Sequence, residues 1–212
     1  MRVLAFDCCL GACSAALLDE KRLLAARYEP MQRGQAERLV PMVEEVRAEA
    51  GLEWREIDLI CVTVGPGSFT GVRIGLAAAR GFALAADLPV LGLSTLEAVT
   101  ARIDGRATLA AIDARRGQVY AQAFAADRSP LTPPQALPPE AVPALAPPEP
   151  FVLVGSGALL LMAHFPQGAV MMPTEPEADA FGWLAFARAG EAKRGAPPRP
   201  LYLRGPDAKQ PA

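Results

Sequence analysis

Val62-Thr63-Val64-Gly65-Pro66-Gly67-Ser68-Phe69-Thr70-Gly71-Val72-Arg73-Ile74-Gly75 reads as the end of an apolar strand, a glycine-rich turn and the start of a helix. Gly65, Gly67 and Gly71 let the backbone turn sharply and approach a neighbour closely. Ser68 or Thr70 can cap the helix, whose open N-terminus is a potential anion site. Three familiar chemistries do not fit the stretch. A Walker A loop needs a lysine, and none lies here. A nucleophile elbow around Ser68 needs glycine at 66 and 70, where the chain has Pro66 and Thr70. A dinucleotide fingerprint fits only loosely, and no acidic residue ends the next strand, 89–93, to hold a ribose.

Working outward, residues 2–6, 13–18 and 22–28 read as short strands with a turn at 19–21. A helix is expected over 35–50, closed by Gly51, with Leu39, Met42, Val43 and Val46 on one face. The all-apolar run 59–64 has the pattern of a strand buried on both faces. A helix follows over 70–86, then a strand over 89–93. Ser94 caps a helix through about 103, with Glu97 placed to complete a capping box.

The pattern then restarts. Leu109-Ala110-Ala111-Ile112-Asp113 echoes Val3-Leu4-Ala5-Phe6-Asp7 at an offset of 106 residues, half of the 212-residue chain. The echo points to two related α/β halves, 1–104 and 105–212. Nine prolines in 130–150 predict an extended surface segment outside the core. Beyond it come a strand over 151–154, a Gly155-Ser156-Gly157 turn, a short helix over 158–164, a strand over 170–172 and an amphipathic helix over 179–193. The tail from 195 is read as poorly ordered apart from Leu201-Tyr202-Leu203.

Composition narrows the classes. The net charge of −2 argues against a general nucleic-acid-binding surface. The first strand is not a signal peptide, and no run of eighteen apolar residues predicts a membrane span, so a soluble cytoplasmic protein is expected. Cys8, Cys9, Cys13 and Cys61 read as reduced and structural. His164 is the only histidine, and one imidazole cannot build a two-histidine metal site.

The segment from Gly65 to Gly75 strongly resembles the TsaB (YeaZ) family. So do Leu4–Asp7, the stretch Ile112-Asp113-Ala114-Arg115-Arg116-Gly117-Gln118-Val119-Tyr120, and Pro200-Leu201-Tyr202-Leu203-Arg204. The resemblance implies the two-lobed fold of actin, Hsp70 and acetate kinase with a reduced second lobe. It implies a non-catalytic role in making N6-threonylcarbamoyladenosine (t6A) in tRNA. The catalytic paralogue TsaD would be the partner, with the ATPase TsaE in the larger assembly. Without TsaD the stripe Leu39, Met42, Val43 and Val46 would lie in water, which predicts a homodimer when the chain is alone. No cofactor is expected, and tRNA contact is expected to be indirect or through the partner, while Arg115, Arg116, Arg199 and Arg204 could contact phosphate.

On that resemblance the two long helices form the TsaD surface, through Leu39, Met42, Val43, Val46, Thr70, Arg73, Ile74, Ala77 and Ala78. Gly65, Pro66, Gly67, Ser68, Phe69, Gly71 and Gly75 are a loop and packing motif, with Gly75 expected to face the protein's own sheet. Asp7 and Asp113 occupy vestigial phosphate-site positions. Their neighbours Cys8, Cys9 and Leu10 are poor phosphate and Mg²⁺ ligands, and Ala114 and Arg115 do not supply the glycine and hydroxyl donors that ATP chemistry needs beside Asp113, so each aspartate is expected to cap a turn. The competing reading is a small ATP-binding, kinase-like enzyme of the same fold.

Overall fold

The computed structural model describes residues 1–148, 150–165, 170–172, 175–196 and 198–204. Its first sheet contains β1 (Arg2–Asp7), β2 (Ala12–Asp19), β3 (Leu23–Pro30), β4 (Leu59–Thr63) and β5 (Val90–Leu93), in the order β3-β2-β1-β4-β5. The first three strands are antiparallel, and β4 and β5 join in parallel. The second sheet contains β6 (Ala107–Arg115), β7 (Gln118–Phe124), β8 (Gln135–Leu137), β9 (Phe151–Val154) and β10 (Val170–Met172), in the order β10-β9-β6-β7-β8. It repeats the same antiparallel–antiparallel–parallel–parallel pairing. The aspartate echo therefore coincides with a repeated topology.

Alternation along the strands decides what each face of the first sheet meets. Leu4, Phe6, Ala15, Leu17, Ile60 and Val62 face α1 (Gln35–Glu49) and α2 (Phe69–Ala86). Val3, Ala5, Ala16, Leu18, Leu59 and Cys61 face the other way. Both faces are covered, which explains the unbroken apolar reading of β4. The gap between α1 and α2 is filled by Trp54 stacked on Phe82 at 4.7 Å, with the indole N–H donating to Glu44 at 3.2 Å.

The apolar stripe of α1 is interior. Leu39, Met42, Val43 and Val46 are fully buried among Leu4, Leu17, Val72 and Leu76 of this chain. The expectation that they lie in water until a partner arrives is therefore corrected. Hydrophobic period reports that a face is covered, not by whom.

The sequential division into halves is crossed by the short helices. The last helices, α4 (Ala178–Phe181) and α5 (Leu184–Arg188), bury Ala178, Phe181 and Ala185 on the free face of the first sheet. Reciprocally, α3 (Thr95–Ala98) and the turn after it place Leu96 and Val99 against Ala110, Ile112 and Val154 of the second sheet. Each half thus lends a helix to the other. The single helix expected over 179–193 is broken at Gly182, where a side chain would collide with Leu18.

Four further expectations change. The 94–103 helix ends as α-helix at Ala98, and Glu97 does not close a capping box. Its carboxylate is held by Arg188 at 2.5 and 2.6 Å, while Ser94 Oγ still accepts the Glu97 N–H at 3.0 Å. The proline-rich segment is not all surface, because a 3₁₀ helix over Pro139–Leu145 buries Val142 in the second core. The tail is tied down through residue 204: Leu201 N–H donates to Val64 O at 2.8 Å, and Arg204 donates to Ala114 O at 3.2 Å. The rest of the tail lies outside the described residues. Among the described residues α2 is the one helix long and apolar enough to cross a membrane. Val72, Leu76 and Ala79 pack on the sheet, and much of its remaining hydropathy comes from alanine.

Arg128 staples the halves at their junction. It sits at φ +66° and donates to the carbonyls of Ala101 at 3.2 Å and Ile103 at 2.9 Å, and to Asp104. Hydrogen bonds to a charged donor contribute about 1.5–3 kcal/mol each way of counting. Arg128→Met is expected to lower the unfolding free energy by about 2 kcal/mol. Urea denaturation checks this, and an unchanged midpoint would show the staple to be idle.

Candidate functional site

The glycine turn is built by close contact with the β1–β2 hairpin. Ser68 N–H donates to Cys9 O at 2.7 Å, and Ser68 Oγ accepts from Gly71 N–H at 3.2 Å, so Ser68 is the helix cap. A side chain on Gly67 would overlap the Cys9 carbonyl, and one on Gly71 the Cys8 carbonyl. Gly65, at φ +94°, turns the chain out of the strand. Gly75 is buried against the sheet, with Cys8 Sγ and Val62 Cγ2 each 3.6 Å from the position a Cβ would take. The loop therefore packs its own backbone onto the hairpin turn, leaving no room for a side chain at Gly67 or Gly71.

Gly155-Ser156-Gly157 does the same in the second half. Gly157 N–H donates to Ala111 O at 2.9 Å, and a side chain on Gly155 would overlap that carbonyl. Ser156 Oγ accepts from Asp113 N–H at 3.3 Å. The sequence signal was a glycine run directly after an apolar strand in each half, which short length had disguised as an ordinary turn.

Both aspartates close turns. Asp7 Oδ1 accepts from Cys9 N–H at 3.1 Å, and Asp113 Oδ1 from Arg115 N–H at 2.7 Å. Their environments differ. Asp7 is 1% exposed, its Oδ1 also takes the Thr63 hydroxyl, and its Oδ2 has no partner among the described residues. Burial pushes its carboxyl up to about 6, against the opposing pull of the Thr63 hydroxyl and the Cys9 groups. Asp113 is half-buried and has the Arg115 guanidinium 3.5 Å away. Cys9 Sγ lies 3.1 Å from Thr63 Oγ1, and burial pushes its thiol up. All four cysteines are free and buried. His164 ends the 3₁₀ helix Ala158–His164, outside the cleft described next.

Between the halves lies a cleft of about 1560 Å³, lined by the glycine loop, the tips of both hairpins, Ser156, Glu175 and the returning tail. At its rim Tyr202 stacks on Phe69 at 5.7 Å, and the Arg73 guanidinium lies 3.6 Å from the Phe69 ring centroid while donating to Tyr202 OH at 3.2 Å. Phe69 and Tyr202 are exposed. Sequence reasoning had kept Phe69 as loop packing and missed this stack, since its two rings lie far apart in the chain.

The residues expected to meet a partner separate into two sets. Leu39, Met42, Val43 and Val46 are interior. Thr70, Arg73 and Ala77 are exposed on α2, with Ile74 and Ala78 half-buried beside them. Gly81 and Leu84 continue the exposed row, Leu84 being 88% exposed.

A family model described as TsaD, tRNA N6-adenosine threonylcarbamoyltransferase, matches residues 29–148. The Escherichia coli tRNA threonylcarbamoyladenosine biosynthesis protein TsaB is 43% identical over 124 residues, which is 57% of this chain and 53% of that protein. The chain spans about half the length of the curated TsaB relatives it matches. The solved structure of YeaZ from Pseudomonas aeruginosa superposes with a TM-score of 0.83 at 34% identity, covering 95% of this chain and 99% of that one. An activator of 2-hydroxyisocaproyl-CoA dehydratase from Clostridium difficile, TM-score 0.55 at 13% identity, shares the fold alone. The two repeated sheets, the glycine loop locked onto the first hairpin, and the match to YeaZ over nearly the whole chain together establish a two-lobed α/β protein that belongs to the TsaB (YeaZ) family.

Proposed function

We propose that this chain is a non-catalytic, cytoplasmic subunit of the t6A transferase assembly and that it supports TsaD through the exposed face of α2. The observation that carries this reading is Gly81. It lies inside an 18-residue helix, and among the described residues a Cβ placed on it would meet nothing within 4 Å. An interior glycine costs about 1 kcal/mol relative to alanine. Gly71 has an internal reason for being glycine, and Gly81 has none among the described residues. A bare backbone at that point lets a partner helix come close, since interaxial distance follows the size of the contact residues. Thr70, Arg73, Ala77, Gly81 and Leu84 form one row, with Val40 of α1 exposed on the neighbouring helix. Ile74 and Ala78 border it. In the absence of TsaD the same row would pair with its copy, and TsaE would join the heterodimer.

The poor chemistry of the two hairpin turns supports the non-catalytic part. Asp7 is occupied by Thr63 and Cys9, and its neighbours offer no phosphate donors in place of the missing hydroxyls. The kinase-like reading would be favoured instead by ATP–Mg²⁺ binding that disappears in Asp7→Asn.

Gly81→Gln separates partner contact from stability. The substitution should raise the melting temperature by about 2–4 °C, because roughly 1 kcal/mol of helix propensity is gained in a domain of this size. It should weaken TsaD binding at least tenfold, and reconstituted t6A formation should fall with it. Equal affinity for TsaD in calorimetry would sink the proposed surface.

A further inference from the structure

The cleft between the halves exceeds the roughly 300–1,000 Å³ of ordinary small-molecule pockets, and its charge runs against that of the chain. The whole protein is −2, yet among the described residues the cleft gathers Arg33, Arg73, Arg115, Arg116 and Arg204 against three carboxylates, Glu37, Asp113 and Glu175. Two of these arginines form the tip of the β6–β7 hairpin. Arg115 and Arg116 stand consecutively at φ +61° and +53°, a conformation that glycine or asparagine adopts with less strain. The matching tip of the first half is Leu10-Gly11, on the same cleft and without charge. The repeat was thus differentiated toward positive charge at one tip only. Arg115 is 79% exposed in its side chain, with Asp113 at 3.5 Å beside it. The exposed rings of Phe69 and Tyr202, stacked on one another, line the same cleft.

We propose that the mouth of this cleft holds a single-stranded loop of RNA, with Arg115 and Arg116 on its phosphates and Phe69 and Tyr202 offering aromatic surface to its bases. Guanidinium groups and exposed rings around one wide groove are the combination that binds single strands, whose unstacked bases need a platform and whose phosphates need cations. The inference rests on the reading of the chain as part of a tRNA-modifying assembly. It adds direct RNA contact by this subunit, where the sequence alone leads one to expect contact that is indirect or through a partner. The mouth borders the α2 row at Thr70 and Arg73, so RNA bound there would lie along the seam with TsaD.

The test titrates an unmodified tRNA transcript into the protein alone and into its complex with TsaD at several KCl concentrations. Arg115→Gln/Arg116→Gln is compared with wild type and with Arg22→Gln, which removes an exposed charge at the β2–β3 turn outside the cleft. Melting temperatures are recorded for all three. The double variant should melt like wild type and bind RNA about tenfold more weakly. Its plot of log affinity against log salt should be shallower by about 1.4, the amount for two single-strand phosphates. Arg22→Gln should match wild type in both. Unchanged RNA affinity and slope in the double variant would overturn the proposal. So would an equal loss in Arg22→Gln, or displacement of the RNA by ATP, which would mark a small-anion site. A chain that fails to associate with TsaD but shows the expected RNA behaviour alone would leave this proposal standing and remove the subunit reading.

Discussion

Gly71→Ala should lower stability by about 3 kcal/mol, whereas Gly75→Ala, one turn along the same helix, should change it by less than about 1 kcal/mol. The methyl at 71 has nowhere to go. It falls on the backbone carbonyl of Cys8, which is held within the hairpin that carries Asp7, so relief requires moving α2 as a whole. The methyl at 75 meets only Cys8 Sγ and Val62 Cγ2 at ordinary contact distance, and it brings a gain in helix propensity. Thermal melts should separate the two by about 6–12 °C for a domain of this size. Equal melting temperatures would mean that the loop does not lock onto the hairpin. If Gly71→Ala fails to accumulate as folded protein, Gly67→Ala at lower temperature gives the same comparison through the Cys9 carbonyl.

Asp7→Asn should be better tolerated at neutral pH than in acid. Burial raises the folded carboxyl to about 6, against about 3.9 in an unfolded chain. The folded state therefore holds this proton more tightly than the unfolded state. The stability that goes with it is present below pH 4 and is lost as pH rises from about 4 to about 6. Two units correspond to about 3 kcal/mol. Asparagine keeps the Oδ1 acceptor for Cys9 N–H and Thr63 and does not titrate. The difference in unfolding free energy between variant and wild type should move by about 3 kcal/mol in favour of asparagine between pH 3 and pH 7, while titrations common to both proteins cancel. A pH-independent difference would show that Asp7 is not desolvated as described. The result also bears on chemistry, because a catalytic carboxylate would lose activity on becoming an amide, while a turn-capping one need not.

Much of the fold was legible because period and punctuation agree. β1, α1, β4, α2 and β5 follow from alternation, helical spacing and the caps at Ser68 and Ser94, and the Asp7–Asp113 echo foretold the repeated sheet. What escaped was the identity of neighbours. The stripe Leu39–Val46 is covered by the chain's own sheet, yet its period would be the same under a partner. The Glu97 carboxylate leaves its local cap for Arg188, 91 residues away, and no window of sequence contains both. Val142 was lost among prolines because one buried side chain gives no period at all. For the candidate surface, the sequence showed a helix of small residues, but only packing distinguishes Gly71, which has a neighbour, from Gly81, which lacks one among the described residues.

The exchange of helices between the halves has a consequence for synthesis on the ribosome. When residue 104 has left the exit tunnel, every strand of the first sheet is available, but Val3, Ala5, Leu18 and Leu59 still lack the cover that Phe181 and Ala185 will give them. The nascent first half must therefore wait, with one apolar face bare, until about eighty more residues have been translated. At elongation rates of about 5–20 residues per second this interval lasts several seconds. Synonymous changes that slow translation between residues 105 and 190 would lengthen it, and the yield of soluble protein should then depend on holdase chaperones although the mature sequence is unchanged.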